Sequence, residues 1–330
     1  MKKPELTIII IVYDMPTQAM NTLYSFSRKY QKNVSEKDYE ILVVENKSAN
    51  TLDANAVRAL GANFQYYLRN ETGVSPAKAL NFGAEKASGK YLGLIIDGAR
   101  MVTPRVIEYV LMAFRQSQYS MVAVPGYNLG PSEQQHHISH QYDEKIECQL
   151  LDSIHWQNNG YRLFDIANPS GANPKGALQL FLECNCLFTS RQIFDDIGGA
   201  DERFNLLGGG SINLHIYRKI GMHKSSYYYF VLPGEGSFHQ FHGGVTTSSR
   251  EDREALLELF RIQLDEIWEG QFGGALKREP ILLGSITSHA LPFLIESSQF
   301  ANSRFEKMAT RSAAFWPDDV TFHRHTNSGD

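Results

Sequence analysis

The chain has 330 residues, 42% of them hydrophobic and 21% charged, the proportions of a soluble globular protein able to bury a sizeable core. Its formal net charge of −4 leaves no global electrostatic case for nucleic acid or an anionic membrane surface as partner. The opening apolar run, Ile8 to Val12, is too short for a membrane span and is soon followed by Asp14, so a cytoplasmic protein without a membrane span is expected.

In chain order, LTIIIIVY (6–13) is a continuous β-branched run, as in a central strand covered on both faces. A helix is expected over 17–30, with Ala19, Leu23 and Phe26 as its apolar stripe. YEILVVEN (39–46) and FQYYLRN (64–70) read as strands two and three. SPAKALNFGAEKAS (75–88) reads as a helix capped by Ser75, with Pro76 at its first position and Gly89 at its stop. YLGLIID (91–97) is a fourth strand, 103–117 a helix and MVAVPG (121–126) a fifth strand. Strands alternating with helices imply a mainly parallel sheet. Ligands bind outside the carboxyl ends of such strands, where Tyr13, Asp14, Glu45, Asn46, Asn70 and Asp97 fall.

The middle of the chain is less regular. HHISH (136–140) reads as a solvated face, and ALQLFLECNCLFTS (177–190) as strand. Cys184 and Cys186 are spaced to share one side of that strand and are expected to be buried free thiols rather than metal ligands. Short helices are expected over 191–199 and 211–221, and a strand over 226–234 leads into EGSFHQFHGG (235–244). A capping box from Ser248 to Glu251 opens a long helix to about Trp268, and the last sixty residues or so read as helical cover and polar tail.

TIIIIVYDMP, EILVVENKSAN, the array Gly73, Ala77, Asn81, Gly83, then SGKYLGLIIDG and GGADERF occur together and in this order. In that set the chain resembles the family 2 glycosyltransferases. The resemblance implies an α/β fold of the GT-A type: a Rossmann-like, mainly parallel sheet flanked by helices, with a helical C-terminal extension. Residues 1–245 would form the GT-A-like domain, with a nucleotide-binding half (1–125) and an acceptor half (126–245); residues 246–330 would be the extension. The implied activity is inverting transfer of a sugar from a nucleotide diphosphate sugar, UDP favoured, to a carbohydrate or glycolipid acceptor in polysaccharide or glycoconjugate synthesis. By position, Val12, Tyr13 and Glu45 would hold base and ribose, with Lys78, Asn81, Asp97 and Gly98 near the nucleotide. A carboxylate at Glu45 can accept the uracil imide N–H, and Lys78 can act as a point charge beside phosphate.

Two departures from the family pattern bear on chemistry. Asp97, Gly98 and Ala99 stand where the family carries its D-x-D element, so the first acid is kept and the second is alanine. That element holds Mg²⁺ or Mn²⁺ through hard oxygen ligands, so metal is expected to be weakly bound or absent. Asp97 and His239 are the expected ligands, His242 of FHQFH is a further contributor, and Arg100 can neutralise phosphate directly. After GGADERF the family carries an acidic pair that includes the catalytic base, whereas this chain reads LLGGGSINLH (206–215). An inverting displacement still requires a base, and Glu183, Glu235 and His239 are the candidates, ahead of Asp201 and Glu202. The alternative is a GT-A-fold protein without transferase activity that binds a nucleotide sugar or a protein partner. A nucleotidyltransferase is disfavoured, because MPTQAMN after the first strand is no glycine- and lysine-rich phosphate loop.

Overall fold

The computed structural model describes residues 3–71, 75–131, 142–242, 250–272, 276 and 278–299. HHISH, Gly73 of the glycine array and Ser248 of the expected capping box lie outside them.

The strands are β1 (Leu6–Val12), β2 (Tyr39–Asn46), β3 (Phe64–Arg69), β4 (Tyr91–Ile95), β5 (Arg100–Val102), β6 (Ser120–Ala123), β7 (Gly126–Leu129), β8 (Ala167–Pro169), β9 (Leu187–Ser190), β10 (Tyr228–Val231), β11 (Ser237–His239) and β12 (Ile281–Leu282). The helices are α1 (Pro16–Phe26), α2 (Ala54–Arg58), α3 (Ala77–Lys86), α4 (Val106–Gln116), α5 (Glu144–Ile154), α6 (Arg191–Asp196), α7 (Ile212–Met222) and α8 (Arg250–Ile267).

Eight strands form the main sheet in the order β12-β10-β6-β9-β4-β1-β2-β3. It is parallel throughout except for β9, which runs antiparallel between β4 and β6. The uninterrupted apolar runs are explained by burial on both faces. Leu6, Ile8, Ile10 and Val12 of β1 pack with Ala19, Leu23 and Phe26 of α1 and with Val106, Val110 and Phe114 of α4. Ile9 and Ile11 point the other way, onto Ala77 and Leu80 of α3 and Ile212, Ile216 and Ile220 of α7. Each such side chain contributes about 1.5–3 kcal/mol by leaving water. The sheet is therefore held by alternate residues of the same strand on two separate cores.

A second sheet, β5-β11-β7-β8, lies beside the first. Phe238 pairs with Met101 across β5 and with Tyr127 across β7, and all three enter a third core with Phe164 and Trp156. His239 pairs in turn with Arg100 and with Asn128. Side chains alternate between faces along a strand, so Arg100 and His239 share the face opposite to the Met101–Phe238–Tyr127 layer.

The structure corrects several sequence expectations. Helix α3 begins at Ala77, and the residue capping it is Pro76, with the Ser75 hydroxyl accepting from Ala77 N–H at 3.3 Å. Of residues 177–190 only Leu187–Ser190 form a strand. Cys184 and Cys186 precede it, so they do not alternate as strand residues; they are buried and free but enter opposite cores. Part of the expected helical C-terminal cover is strand: β12 extends the main sheet beside β10, and Phe293, in a helical stretch over 291–299, packs on the third core.

Candidate active site

The centre of the site is the turn after β4. Asp97 accepts from Ala99 N–H at 3.0 Å through Oδ1, which bends the chain into β5. Gly98 is demanded by packing, since a Cβ there would lie 2.8 Å from the Ile11 carbonyl oxygen and 3.0 Å from Val12. The carboxylate is thus set against the carboxyl end of β1. Pairing of β5 with β11 then brings in a segment far away in sequence. His239 Nε2 lies 2.8 Å from Asp97 Oδ2, His242 Nε2 lies 3.7 Å from Asp97 Oδ1, and the two ring nitrogens are 3.1 Å apart. One ligand atom from each of the three residues falls within 4.8 Å of the others.

Electrostatics favour the protonation states a metal needs. Burial alone would raise the Asp97 carboxyl, but His239 and His242 outweigh it and hold the group well below the usual carboxylate range. Burial, and then the Arg100 guanidinium, pull His239 down to about 4 against the attraction of Asp97. At neutral pH an ionised carboxylate therefore faces a neutral imidazole. Arg100 Nε lies 3.5 Å from Asp97 Oδ2 and is buried without a hydrogen bond among the described residues. One carboxylate and two imidazoles suit a first-row transition ion better than Mg²⁺ or Ca²⁺.

The histidine segment is rigidly braced. Gln240 N–H donates to the Ala99 carbonyl at 2.9 Å. The Gln240 side chain donates to Gln18 O at 2.9 Å and Thr22 Oγ1 at 3.1 Å and accepts from Asn21 Nδ2 at 2.9 Å. All three partners lie on α1. Nothing local in FHQFH announces these contacts; an apolar helix with a polar Gln18, Asn21 and Thr22 edge is the only trace of them in the sequence.

At the end of β2, Glu45 is fully buried. It accepts from Leu52 N–H at 3.0 Å and from the Tyr66 hydroxyl at 2.6 Å. Burial raises its carboxyl above the ordinary range, with these two hydrogen bonds opposing the shift. Beside it, Asn46 Oδ1 is buried without a hydrogen bond among the described residues. Val12 is buried, whereas Tyr13 is 42% exposed. Lys78 Nζ lies 3.8 Å from Glu71 on the surface. Asn81 binds the backbone of Ala200, donating to its carbonyl at 2.9 Å and accepting from its N–H at 2.8 Å, and donates to Glu202 at 3.1 Å. The structure thus gives Asn81 a bracing role on the GGADERF loop.

The base candidates fall in different surroundings. Glu183 is half-buried; burial raises its carboxyl and the nearby Arg100 charge opposes the rise. Glu235 is fully buried. It accepts from the Tyr161 hydroxyl at 2.8 Å and from Arg105 N–H at 3.3 Å, and burial pushes it up to about 7. Asp201 is taken by Arg203 at 2.6 Å. The turn that replaces the acidic pair runs through Gly208, Gly209 and Gly210 at φ +68, +82 and +55, a succession that other residues adopt only under strain.

The sheet is mainly parallel with helices on both faces, and an acid and two histidines converge at the carboxyl end of its central strand β4, the edge at which ligands of such sheets bind. Residues 7–196 match the family model described as Glycosyl transferase family 2. This is more than half of the chain, which belongs to that family. Comparison with curated protein sequences gives no match. Among solved structures, S. aureus TarS 1-349 in complex with UDP-GlcNAc is similar at 10% identity, over 95% of this chain and 77% of that one, with a TM-score of 0.48. The same TarS segment in complex with UDP gives 11% identity, the same coverages and a TM-score of 0.46. A longer TarS structure is matched over 94% of this chain and 46% of that one, at 11% identity and a TM-score of 0.44. Among the described residues no helix is long and apolar enough to cross a membrane.

Proposed function

We propose that this chain is an inverting glycosyltransferase that moves a sugar from a nucleoside diphosphate sugar, UDP favoured, to a carbohydrate or glycolipid acceptor in polysaccharide or glycoconjugate synthesis. The observation that carries this reading is the convergence of Asp97, His239 and His242, with Arg100 beside them, at the carboxyl end of β4. Asp97, His239 and His242 would hold a divalent cation such as Mn²⁺, which when bound supplies positive charge to the diphosphate. Arg100 adds a fixed positive charge in the same place, so affinity for the donor depends only partly on metal. The base and ribose lie at the ends of β1 and β2, by Val12, Tyr13 and Glu45. Gly98 lets the turn after β4 lie against the carboxyl end of β1 beside that place, and Lys78 and Asn81 stand near the nucleotide.

For the acceptor proton we favour Glu183. Its burial moves the carboxyl toward the pH at which a base works best, and it stands within the field of Arg100. His239 is engaged with Asp97, and Glu235 faces the interior. The nucleotide half comprises residues 1–125 and the acceptor half 126–245, with β11 of the second half completing the metal ligands of the first. The free cysteines agree with a cytoplasmic location.

The absence of any acid in the glycine turn at 208–210 favours a second reading, binding of a nucleotide sugar without transfer. A thermal-shift panel of UDP, GDP, CDP and dTDP sugars, each with and without Mn²⁺, tests the shared part of both. A UDP-sugar at a hundred times its Kd should stabilise the fold by about 2.7 kcal/mol. If no sugar nucleotide shifts the transition, both readings fail. If one binds but is neither transferred nor hydrolysed across a broad acceptor panel, the second reading replaces the first.

A further inference from the structure

Glu147 belongs to no motif in the sequence and lies on α5, outside the residues that converge on Asp97. The side chain is turned inward and is only 3% exposed. Its two carboxylate oxygens lie 2.9 and 2.8 Å from Phe241 N, which donates to both. The Tyr142 hydroxyl donates to Oε2 at 3.1 Å. At the next peptide, Gln18 Nε2 donates to the Phe241 carbonyl at 2.9 Å. Side chains from two separate helices therefore grip both backbone groups of the residue immediately before His242.

That grip has a geometric consequence. Strand β11 ends at His239, and after the Gln240 N–H bond to the Ala99 carbonyl no ladder holds the chain among the described residues. His242 must nevertheless return until its ring nitrogen is 3.1 Å from that of His239. The peptide at Phe241 decides whether it does. A carboxylate is an expensive group to bury for one loop amide, because charge loses its hydration. Both carboxyl oxygens of Glu147 accept from Phe241 N–H, a two-point hold that suits a group that must fix a ring to within a few tenths of an ångström.

We propose that Glu147 is a positioning residue: it acts through Phe241 N–H to hold His242 where His239, His242 and Asp97 act as one ligand set. This rests on the reading that the three residues bind a divalent cation. Partners one step behind metal ligands orient those ligands, and their loss typically lowers metal affinity about tenfold to a hundredfold.

The experiment is calorimetric titration of the full chain with Mn²⁺ alone, without donor or acceptor. Wild type should bind Mn²⁺ and Asp97→Ala should not. Glu147→Ala should lose about tenfold to a hundredfold in affinity while circular dichroism shows an unchanged fold. Glu147→Gln should recover most of that loss, because its amide oxygen can still accept from Phe241 N–H. In a His242→Ala background, Glu147→Ala should have no further effect, since there is no ring left to position. If Glu147→Ala does not fold, Glu147→Asp, which withdraws the carboxylate from Phe241, should show the same loss. Wild-type affinity in whichever of these two variants folds, or an undiminished loss in the His242→Ala background, overturns the proposal alone. A wild type that binds no Mn²⁺ overturns the cation reading and this proposal with it.

Discussion

Strands β2 and β4 flank β1 in the main sheet, and each delivers an acid to its carboxyl end. The two acids meet opposite fates. Glu45 is enclosed by its own neighbourhood, with a backbone N–H and a tyrosine hydroxyl as donors, and burial raises its carboxyl. Asp97 faces two imidazoles and a guanidinium, and its carboxyl is lowered. The position on the fold is equivalent; the partners are not. At equivalent positions the packing fills one acid with a backbone N–H and a hydroxyl, and sets the other beside ring nitrogens and a guanidinium that a charged ligand can share.

The largest effect expected from this contrast is on turnover. Asp97→Ala removes the carboxylate of the converging set and should lower the rate of transfer or donor hydrolysis about a hundred- to a thousandfold. A variant that keeps more than a tenth of wild-type rate breaks the contrast at its stronger end.

Glu235 extends the comparison to a third acid, saturated as Glu45 is. Its folded carboxyl titrates at about 7 against an ordinary 4.5, so between these values the folded chain binds a proton that the unfolded chain has released. Its contribution to stability is complete below about pH 4.5 and is lost as pH rises through about 7. Relative to Glu235→Gln, wild type should therefore lose about 3 kcal/mol between pH 4.5 and 8, read from denaturant unfolding at each pH. A difference between the two proteins that does not change with pH would contradict this.

Glu45→Ala should destabilise the fold by about 1–3 kcal/mol, since Leu52 N–H and the Tyr66 hydroxyl lose their buried acceptor. The same variant should weaken UDP binding by about 1–3 kcal/mol in calorimetry. Lost stability with wild-type UDP affinity would make Glu45 a brace and sharpen its difference from Asp97. The smallest effect is on donor affinity after chelation. With Arg100 still in place, EDTA should lower it by no more than about tenfold, equivalent to about 1.4 kcal/mol; loss of all detectable binding would mean that Arg100 contributes little.

Much of the main sheet was legible in the sequence. LTIIIIVY, YEILVVEN and YLGLIID carry enough consecutive apolar residues to be recognised as strands covered on both sides, and the acids after them could be placed at the ligand edge. His239 could be tied to Asp97 only through a family resemblance. The second sheet was not legible, because β5, β8 and β11 have three residues each, too few for a period of two to show. The nearness of Glu183 to the Arg100 charge and the burial of Glu235 were equally hidden, since both depend on contacts remote in sequence.

By itself the sequence determined a covered, mainly parallel sheet, most of its alternating strands and helices through residue 123 though neither α2 nor β5, and a lone acid at the end of the fourth strand. These follow from local pattern, in which burial on two faces selects β-branched runs and the chain turns where they stop. Only the tertiary structure decided which side chains surround that acid. The cross-strand pair of Arg100 with His239 and the hold of Glu147 on Phe241 join residues remote in sequence. Such contacts depend on how the two sheets and α5 pack, and no single segment encodes that packing.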